Sequence, residues 1–371
     1  MQRLNHKPDY LLAAIIFGIV IFGFIMLSSA SSVTAFQQYG DTNELIKRQI
    51  LSGLVGFAAM FICYRIDYHT WKRLAMPLLI ASIIGLLLVF VPGIGREVLG
   101  ARRWIDLGIA FQPTEIVKLA FLFYLASWLE RRQSGFHDAR TSLLPFVSVL
   151  GLITFLVMAQ PDLGTMTVIG MIGIAMYFIG GAPIQHFVWI GASSVALFAL
   201  LVKIAPYRAA RFTVFLNPEL DPQGIGYHIN QALLAIGSGG LFGVGLGHSR
   251  QKFNYLPEAS TDSIFAIMAE ELGFLVILFF LAAFLAFVFR GFRIAREAPD
   301  MFGRLLAAGI TSWFAFQAFI NIGALTGVLP LTGIPLPFVS YGGTALVVAL
   351  AASGILLNIS TSTTSRARAA R

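Results

Sequence analysis

Between Asp9 and Asp41 the chain carries no charged residue, and positions 10–31 form one continuous apolar run. Similar runs recur at 49–64, 74–92, 114–129, 142–160, 164–180, 186–203, 263–289, 305–327 and 339–358. About 20 such residues, wound as a helix, match the ~30 Å hydrocarbon layer of a bilayer. Every backbone polar group in that layer must be satisfied internally, which leaves helices or closed barrels, and barrel strands are shorter and alternate. The runs predict an all-α integral membrane protein, a bundle of about ten transmembrane helices in a single polytopic membrane domain over residues 1–371. Composition agrees, since 12% of the residues are charged, about half the share of a soluble domain. The first run is too long for a cleaved signal peptide and reads as a retained span.

The net charge of +8 does not point to nucleic acid. Its basic residues are scattered between apolar runs, where they set membrane orientation. With the N-terminus inside, fifteen Lys and Arg fall in the inner segments, from Arg3 to Arg371, against five in the short outer ones: Lys47, Arg48, Arg96, Arg102 and Arg103. Both termini are therefore expected on the cytoplasmic side. Two outer connections, 93–113 and 204–262, are long and rich in Gly, Pro, charge and aromatics. Long connections of this kind tend to be functional, so the working surface is expected to be extracytoplasmic. Cys63 is the single cysteine, which excludes an intramolecular disulfide and a cysteine metal cluster.

Four constellations carry ionisable or turn-forming residues. The first is Ala101-Arg-Arg-Trp-Ile-Asp-Leu-Gly108 followed by Phe111-Gln-Pro-Thr-Glu-Ile-Val-Lys118. Pro113 suits a first helical turn, with Gln112 or Thr114 as cap, and Glu115 and Lys118 then share a helix face. They read either as a structural ion pair or as groups facing a cavity. Arg102 and Arg103 suit phosphate oxygens or the headgroup level. The second is Gln160-Pro-Asp-Leu-Gly-Thr165, in which Asp162 can cap the following helix. The third runs from the glycines of 237–247 through Tyr255-Leu-Pro-Glu258 to Asp262. Its glycines serve either to expose backbone N–H groups to phosphate or to allow tight re-entrant packing, and no Walker lysine follows. Asp262 precedes an apolar span, as its N-cap or as a free carboxylate. Glu270 and Glu271 lie two turns deeper, where they could share a proton, meet Lys118 or pack on polar backbone. The fourth, Pro330 to Gly343, is a proline- and glycine-broken lead-in to the last span, tolerated at membrane depth only inside protein or along a cavity.

In this order, Arg-Arg-Trp-Ile-Asp-Leu-Gly, Phe-Gln-Pro-Thr-Glu-Ile-Val-Lys, Gln-Pro-Asp-Leu-Gly-Thr, Tyr-Leu-Pro-Glu-x-x-Thr-Asp and Pro-Leu-Pro-Phe-Val-Ser-Tyr-Gly-Gly resemble the SEDS family (shape, elongation, division and sporulation), which includes RodA, FtsW and SpoVE. The resemblance covers essentially the whole chain. It implies a peptidoglycan glycosyltransferase that polymerises lipid II at the outer face of the bacterial cytoplasmic membrane, with a class B penicillin-binding protein, a transpeptidase, as partner among other divisome or elongasome proteins. The family's essential aspartate falls on Asp262, and Trp104, Glu115, Lys118, Asp162 and Ser340 occupy motif positions. Gln251-Lys252 before Tyr255 is more like the division-type FtsW branch. The chain departs from the pattern at Ser260-Thr-Asp-Ser263, where His-Thr-Asp-Phe is common.

On this reading Asp262 is the general base, and Lys118, Arg102, Arg103 or a divalent cation (Mg2+ or Mn2+) stabilises the departing pyrophosphate. No organic cofactor is implied. A lipid II flippase and a noncatalytic scaffold are the competing readings. No internal repeat of the kind that marks an inverted-repeat transporter is visible.

Overall fold

A computed structural model describes residues 7–98, 101–106, 108, 110–132, 139–204, 213–215, 217, 220–221 and 224–363. Arg3, Arg366, Arg368 and Arg371 of the charge count, and most of 205–223 in the large connection, lie outside the described residues. Every predicted span carries a helix. These are α1 (Tyr10–Ala30), α3 (Glu44–Arg65), α4 (Tyr68–Leu88), α5 (Pro113–Glu130), α6 (Leu143–Ala159), α7 (Leu163–Ile179), α8 (Ile184–Ile204), α10 (Ile264–Glu297), α11 (Met301–Leu325) and α12 (Gly343–Ser360). Six of them, α1, α3, α4, α10, α11 and α12, are long and apolar enough by themselves to cross a membrane. The helices α6 and α7 are apolar but shorter, and α5 carries Glu115, Lys118 and Glu130. Among the described elements, α2 (Ser32–Tyr39) and α9 (Ile225–Ser238) are further helices outside the predicted runs.

The helix α11 is central, packing on α10, α7 and α5, while α12 lies along α3. Trp313 and Phe314 of α11 are fully enclosed, whereas Phe274, Phe279 and Phe289 of α10 are exposed on the outside of the bundle. A large apolar residue facing outward is what a helix in lipid requires. The described chain ends meet at one end of the bundle: the Asp9 carboxylate pairs with Arg290 at 2.6 Å, and its N–H donates to Ser360 Oγ at 3.1 Å. Asp262 sits toward the opposite end, since it precedes the start of α10 at Ile264 while Arg290 lies near the far end of that helix, with the stretch from Phe274 to Arg290 alone rising about 24 Å at 1.5 Å per residue.

Two features add to the predicted all-α bundle. The 93–113 connection holds a small antiparallel sheet, β1 (Gly95–Val98), β2 (Ala101–Asp106) and β3 (Ala110–Phe111), in the order β1-β2-β3. Trp104 pairs with Arg96 and Ile105 with Phe111, so the sheet feeds directly into Pro113 and α5. The second feature is a break in α10 at Gly273 (φ 74°, ψ 177°). The glycine-rich segment after α9 fills that break, with Val244 N–H on Glu270 O and Gly245 N–H on Glu271 O, each at 3.0 Å, and Phe274 N–H on Gly240 O at 2.9 Å. A side chain on Gly273 would run into the Gly243 backbone. These glycines therefore serve re-entrant packing, and two N–H groups of their segment, those of Val244 and Gly245, are spent on the carbonyls that the broken helix leaves open.

Candidate active site

Asp262 lies one residue before the N-cap of α10, and the cap itself is Ser263, which makes no side-chain capping bond. The structure thus removes the capping role from Asp262 and leaves its carboxylate half-buried at a small cavity lined by Asn321, Ala324, Leu325, Leu331, Thr332, Gly333 and Ile334. The Thr261 hydroxyl lies 3.4 Å from Oδ1. No lysine or arginine among the described residues pairs with it. Desolvation by burial, reinforced by the nearby Glu258 carboxylate, pushes its pKa up to about 7. A carboxyl poised there exchanges a proton readily near neutral pH, as a general base must.

The backbone around Asp262 is tied down from several elements. Tyr341 N–H donates to Ser260 O at 2.9 Å, the Ser340 hydroxyl donates to Thr261 O, and Asn321 Nδ2 donates to Asp262 O at 2.7 Å. Ser340 Oγ also accepts from Leu336 N–H at 2.8 Å. Ser340 therefore joins the broken lead-in of α12 to the Asp262 turn, a position beside the candidate base rather than on its carboxylate.

Glu115 and Lys118 are 3% and 2% exposed and pair at 2.8 Å, as their spacing on α5 predicts. Lys118 Nζ also donates to Gln317 Oε1 at 3.0 Å and lies 4.8 Å from the centre of the Trp313 ring. Gln317 Nε2 donates to Pro335 O at 2.9 Å, and Glu115, Trp313, Gln317, Pro335 and Ser340 line one pocket. One turn along α11, Asn321 Nδ2 donates to Ile334 O as well as to Asp262 O. Trp313, Gln317 and Asn321 thus form a polar stripe that connects the buried Lys118 to Asp262. Sequence reasoning missed Gln317 and Asn321; their signal was two amides four residues apart on one face of an apolar helix.

Asp162 caps α7: its Oδ1 accepts from Thr165 N–H at 3.0 Å and its Oδ2 from Thr165 Oγ1 at 2.9 Å. The turn that holds it abuts the Asp262 cavity, because a Cβ on Gly164 would stand 2.7 Å from Thr332 O. Arg103 donates to the carbonyls of Gln160 and Pro161, fixing the sheet to that turn. Arg102 pairs instead with the exposed Glu97 at 3.3 Å, and Trp104 is half-buried in β2. The structure therefore brings Asp162, Arg103, Ser340, Glu115 and Lys118 around the segments that enclose Asp262, and leaves the Arg102 side chain exposed on β2 beside Glu97.

Glu270 and Glu271 do not meet Lys118. Glu270 accepts from Arg250 N–H at 3.0 Å and from the Ser249 hydroxyl. Glu271 pairs with Lys252 at 3.1 Å and accepts from Ser29 Oγ at 2.6 Å. Of the open roles, packing on polar backbone describes Glu270, and Glu271 gains a lysine that the motif reading had used only as a branch marker. Among the described residues no three His, Cys, Asp or Glu side chains come together to hold a metal ion.

The family model of the cell cycle proteins FtsW, RodA and SpoVE matches residues 9–365. Stage V sporulation protein E of Bacillus subtilis (strain 168) is 45% identical over 361 residues, 97% of this chain and 99% of that protein. A probable peptidoglycan glycosyltransferase FtsW of Geobacter sp. (strain M18) is 42% identical over 341 residues, 92% of this chain and 93% of the relative. Among solved structures, a chain of a peptidoglycan synthase complex that coordinates polymerization and crosslinking superposes with a TM-score of 0.80 at 30% identity, over 95% of this chain and 97% of that one. The rod shape determining protein RodA of Thermus thermophilus gives 0.70 at 31% identity, over 95% and 96% of the two chains.

Proposed function

Because the chain belongs to the SEDS family of FtsW, RodA and SpoVE, on the FtsW-like side, we propose that it is a peptidoglycan glycosyltransferase polymerising lipid II at the outer face of the bacterial cytoplasmic membrane. The observation that carries this reading is the Asp262 carboxylate, held at a cavity mouth with its pKa raised to about 7. Both chain ends then lie on the cytoplasmic side, in keeping with the Asp9–Ser360 contact at the opposite end of the bundle and with the charge asymmetry. The ten helices of the predicted runs are its ten spans.

Lipid II is a disaccharide-peptide on a polyprenyl pyrophosphate. The acceptor 4-hydroxyl attacks the donor anomeric carbon; the new glycosidic C–O bond forms as the bond to the pyrophosphate breaks, and the electron pair leaves on phosphate oxygen. Asp262 takes the hydroxyl proton. Arg103 and Lys118 supply positive charge near the pyrophosphate, Arg103 by exchanging a carbonyl partner for phosphate. Arg102, Trp104, Glu115, Asp162 and Ser340 bind or frame the substrate. A divalent cation (Mg2+ or Mn2+) would add positive charge beside the pyrophosphate. A class B penicillin-binding protein is the partner, in line with the two coupled activities of the synthase complex that the chain resembles.

The test is to purify the chain with its cognate transpeptidase, supply lipid II and a divalent cation, and compare wild type with Asp262→Ala for glycan polymer on a gel. Polymer from wild type only is the expected result. Polymer from both would remove Asp262 as base. Polymer from neither, with lipid II crossing vesicle bilayers, would put the flippase reading ahead.

A further inference from the structure

The four residues of the Asp262 turn each receive a hydrogen bond or close polar contact from outside the turn. Three of these come from Tyr341, Ser340 and Asn321, on Ser260, Thr261 and Asp262 in order. The fourth comes from α9 in the large outer connection, where His228 Nε2 lies 2.7 Å from Ser263 Oγ. We propose that His228 is a positioning residue for Asp262, acting through Ser263 and carrying the placement of α9 to the catalytic carboxylate. This rests on the glycosyltransferase reading above.

The direction of the bond follows from proton counting. A serine hydroxyl has one proton, and Ser263 Oγ donates it to Pro257 O at 2.8 Å. Ser263 Oγ must therefore accept from His228, which fixes the imidazole proton on Nε2. Burial lowers the His228 pKa to about 4, so the ring is neutral at pH 7 and its single N–H is the one committed to Ser263. Ser263 in turn is bonded through its N–H to Glu258 O at 3.1 Å and follows Asp262 directly in the chain, so that fixing Ser263 fixes the main chain that carries the carboxylate. Without the Nε2 donor, the Ser263 hydroxyl and N–H bond only to Pro257 O and Glu258 O of the preceding segment, and the turn loses the hydrogen bond that ties it to α9.

The experiment uses full-length protein with its transpeptidase and reads kcat and KM for lipid II in wild type, Asp262→Ala, His228→Phe, His228→Gln, Ser263→Ala and the His228→Phe/Ser263→Ala double variant. A carboxylate misplaced by a fraction of an ångström to 1 Å loses roughly 10- to 100-fold in rate. His228→Phe and Ser263→Ala should each lose that much in kcat with KM unchanged. The amide of His228→Gln should restore the rate to within about threefold, and the double variant should be no worse than either single one, because both remove one bond. A polymerising wild type beside an equally active His228→Phe overturns the inference alone, as do losses that multiply in the double variant. Should His228→Phe fail to fold, Ser263→Ala and His228→Gln decide: full rate in the first, or failure of rescue in the second when folded, overturns it. A wild type that makes no polymer overturns the underlying reading, and the inference with it.

Discussion

Asn321 holds Asp262 from the central helix: its Nδ2 lies 2.7 Å from the Asp262 carbonyl oxygen and an equal distance from that of Ile334. One buried amide thus fixes the candidate base relative to the loop that walls its cavity. Replacing Asn321 with Leu leaves two carbonyls short of a donor, at about 1–3 kcal/mol each where water cannot reach. The expected outcome is a folded but less stable protein with polymerisation reduced about tenfold or more. Melting temperature and glycan yield, measured on the same preparation, check it. Unchanged yield in Asn321→Leu would mean that the turn is held well enough by Ser340 and Tyr341.

The acidity of Asp262 sets a pH profile. A general base works deprotonated, so polymerisation should rise with pH through about 7 and level off above it. Glu258→Gln removes the neighbouring negative charge that helps to raise the pKa, and should move the rising limb to lower pH. An unmoved limb would assign the titration to another group.

The same shift has a consequence for stability. The Asp262 pKa lies well above the ordinary aspartate value of 3.8, so the folded state binds the proton more tightly than the unfolded chain. Its contribution is complete below about pH 4 and is lost as pH rises through 7. Asp262→Asn stays neutral throughout. It should abolish polymerisation yet melt higher than wild type at pH 8, by roughly 2–4 °C per kcal/mol recovered, with the gap closing toward pH 4. Melting curves in detergent at the two pH values test the sign.

The Glu115–Lys118 pair is almost wholly enclosed. Removing one partner of such a pair strands the other, at about 3–5 kcal/mol, whereas replacing both is far less damaging. Lys118→Met should therefore destabilise strongly, and Glu115→Gln/Lys118→Met should regain much of the loss. If the double variant is stable but inactive, the lysine serves the substrate as well as the fold; stable and active, it serves the fold alone.

How much of this was legible depended on whether partners were close in sequence. Glu115 and Lys118 were readable because three residues on a helix place them together, and the Asp162 cap because its partner is Thr165. Asn321 was not, since its meaning comes from carbonyls 59 and 13 residues away, and an amide in an apolar helix carries no local sign of them. The small sheet escaped because β3 spans two residues and β1 four, too short for an alternating pattern to register. Lys252 read as a family marker until the fold set it against Glu271. The apolar run of α10 ends at 289 while the helix continues to Glu297, because Arg290, Arg293 and Arg296 end the apolar signal and leave the helix intact. The break at Gly273 was not legible, since a lone glycine within an apolar run is a weak sign of one.

That break supplies the sharpest test of the fold. Gly273 sits at φ 74° inside α10, a left-handed conformation that costs any L side chain, and a Cβ there would overlap the backbone of Leu241, Phe242 and Gly243. Gly243 faces it at φ 79°, with its own Cβ position blocked by the Glu271 and Leu272 backbone. The neighbours are main chain that is itself hydrogen-bonded into the break, so neither side can move without opening the bonds from Val244, Gly245 and Phe274. Gly273→Ala should cost upward of about 4 kcal/mol, seen as lost yield of monodisperse protein and a lowered melting temperature, and Gly243→Ala should do the same. Gly170, where nothing stands within 4 Å of an added Cβ, is the control: alanine there should be neutral or stabilising by about 0.5–1 kcal/mol. A Gly273→Ala protein that melts with wild type would show that α10 can run unbroken. The re-entrant segment would then be a lodger in the bundle, and no longer part of what holds Glu270, Glu271 and Lys252 in place.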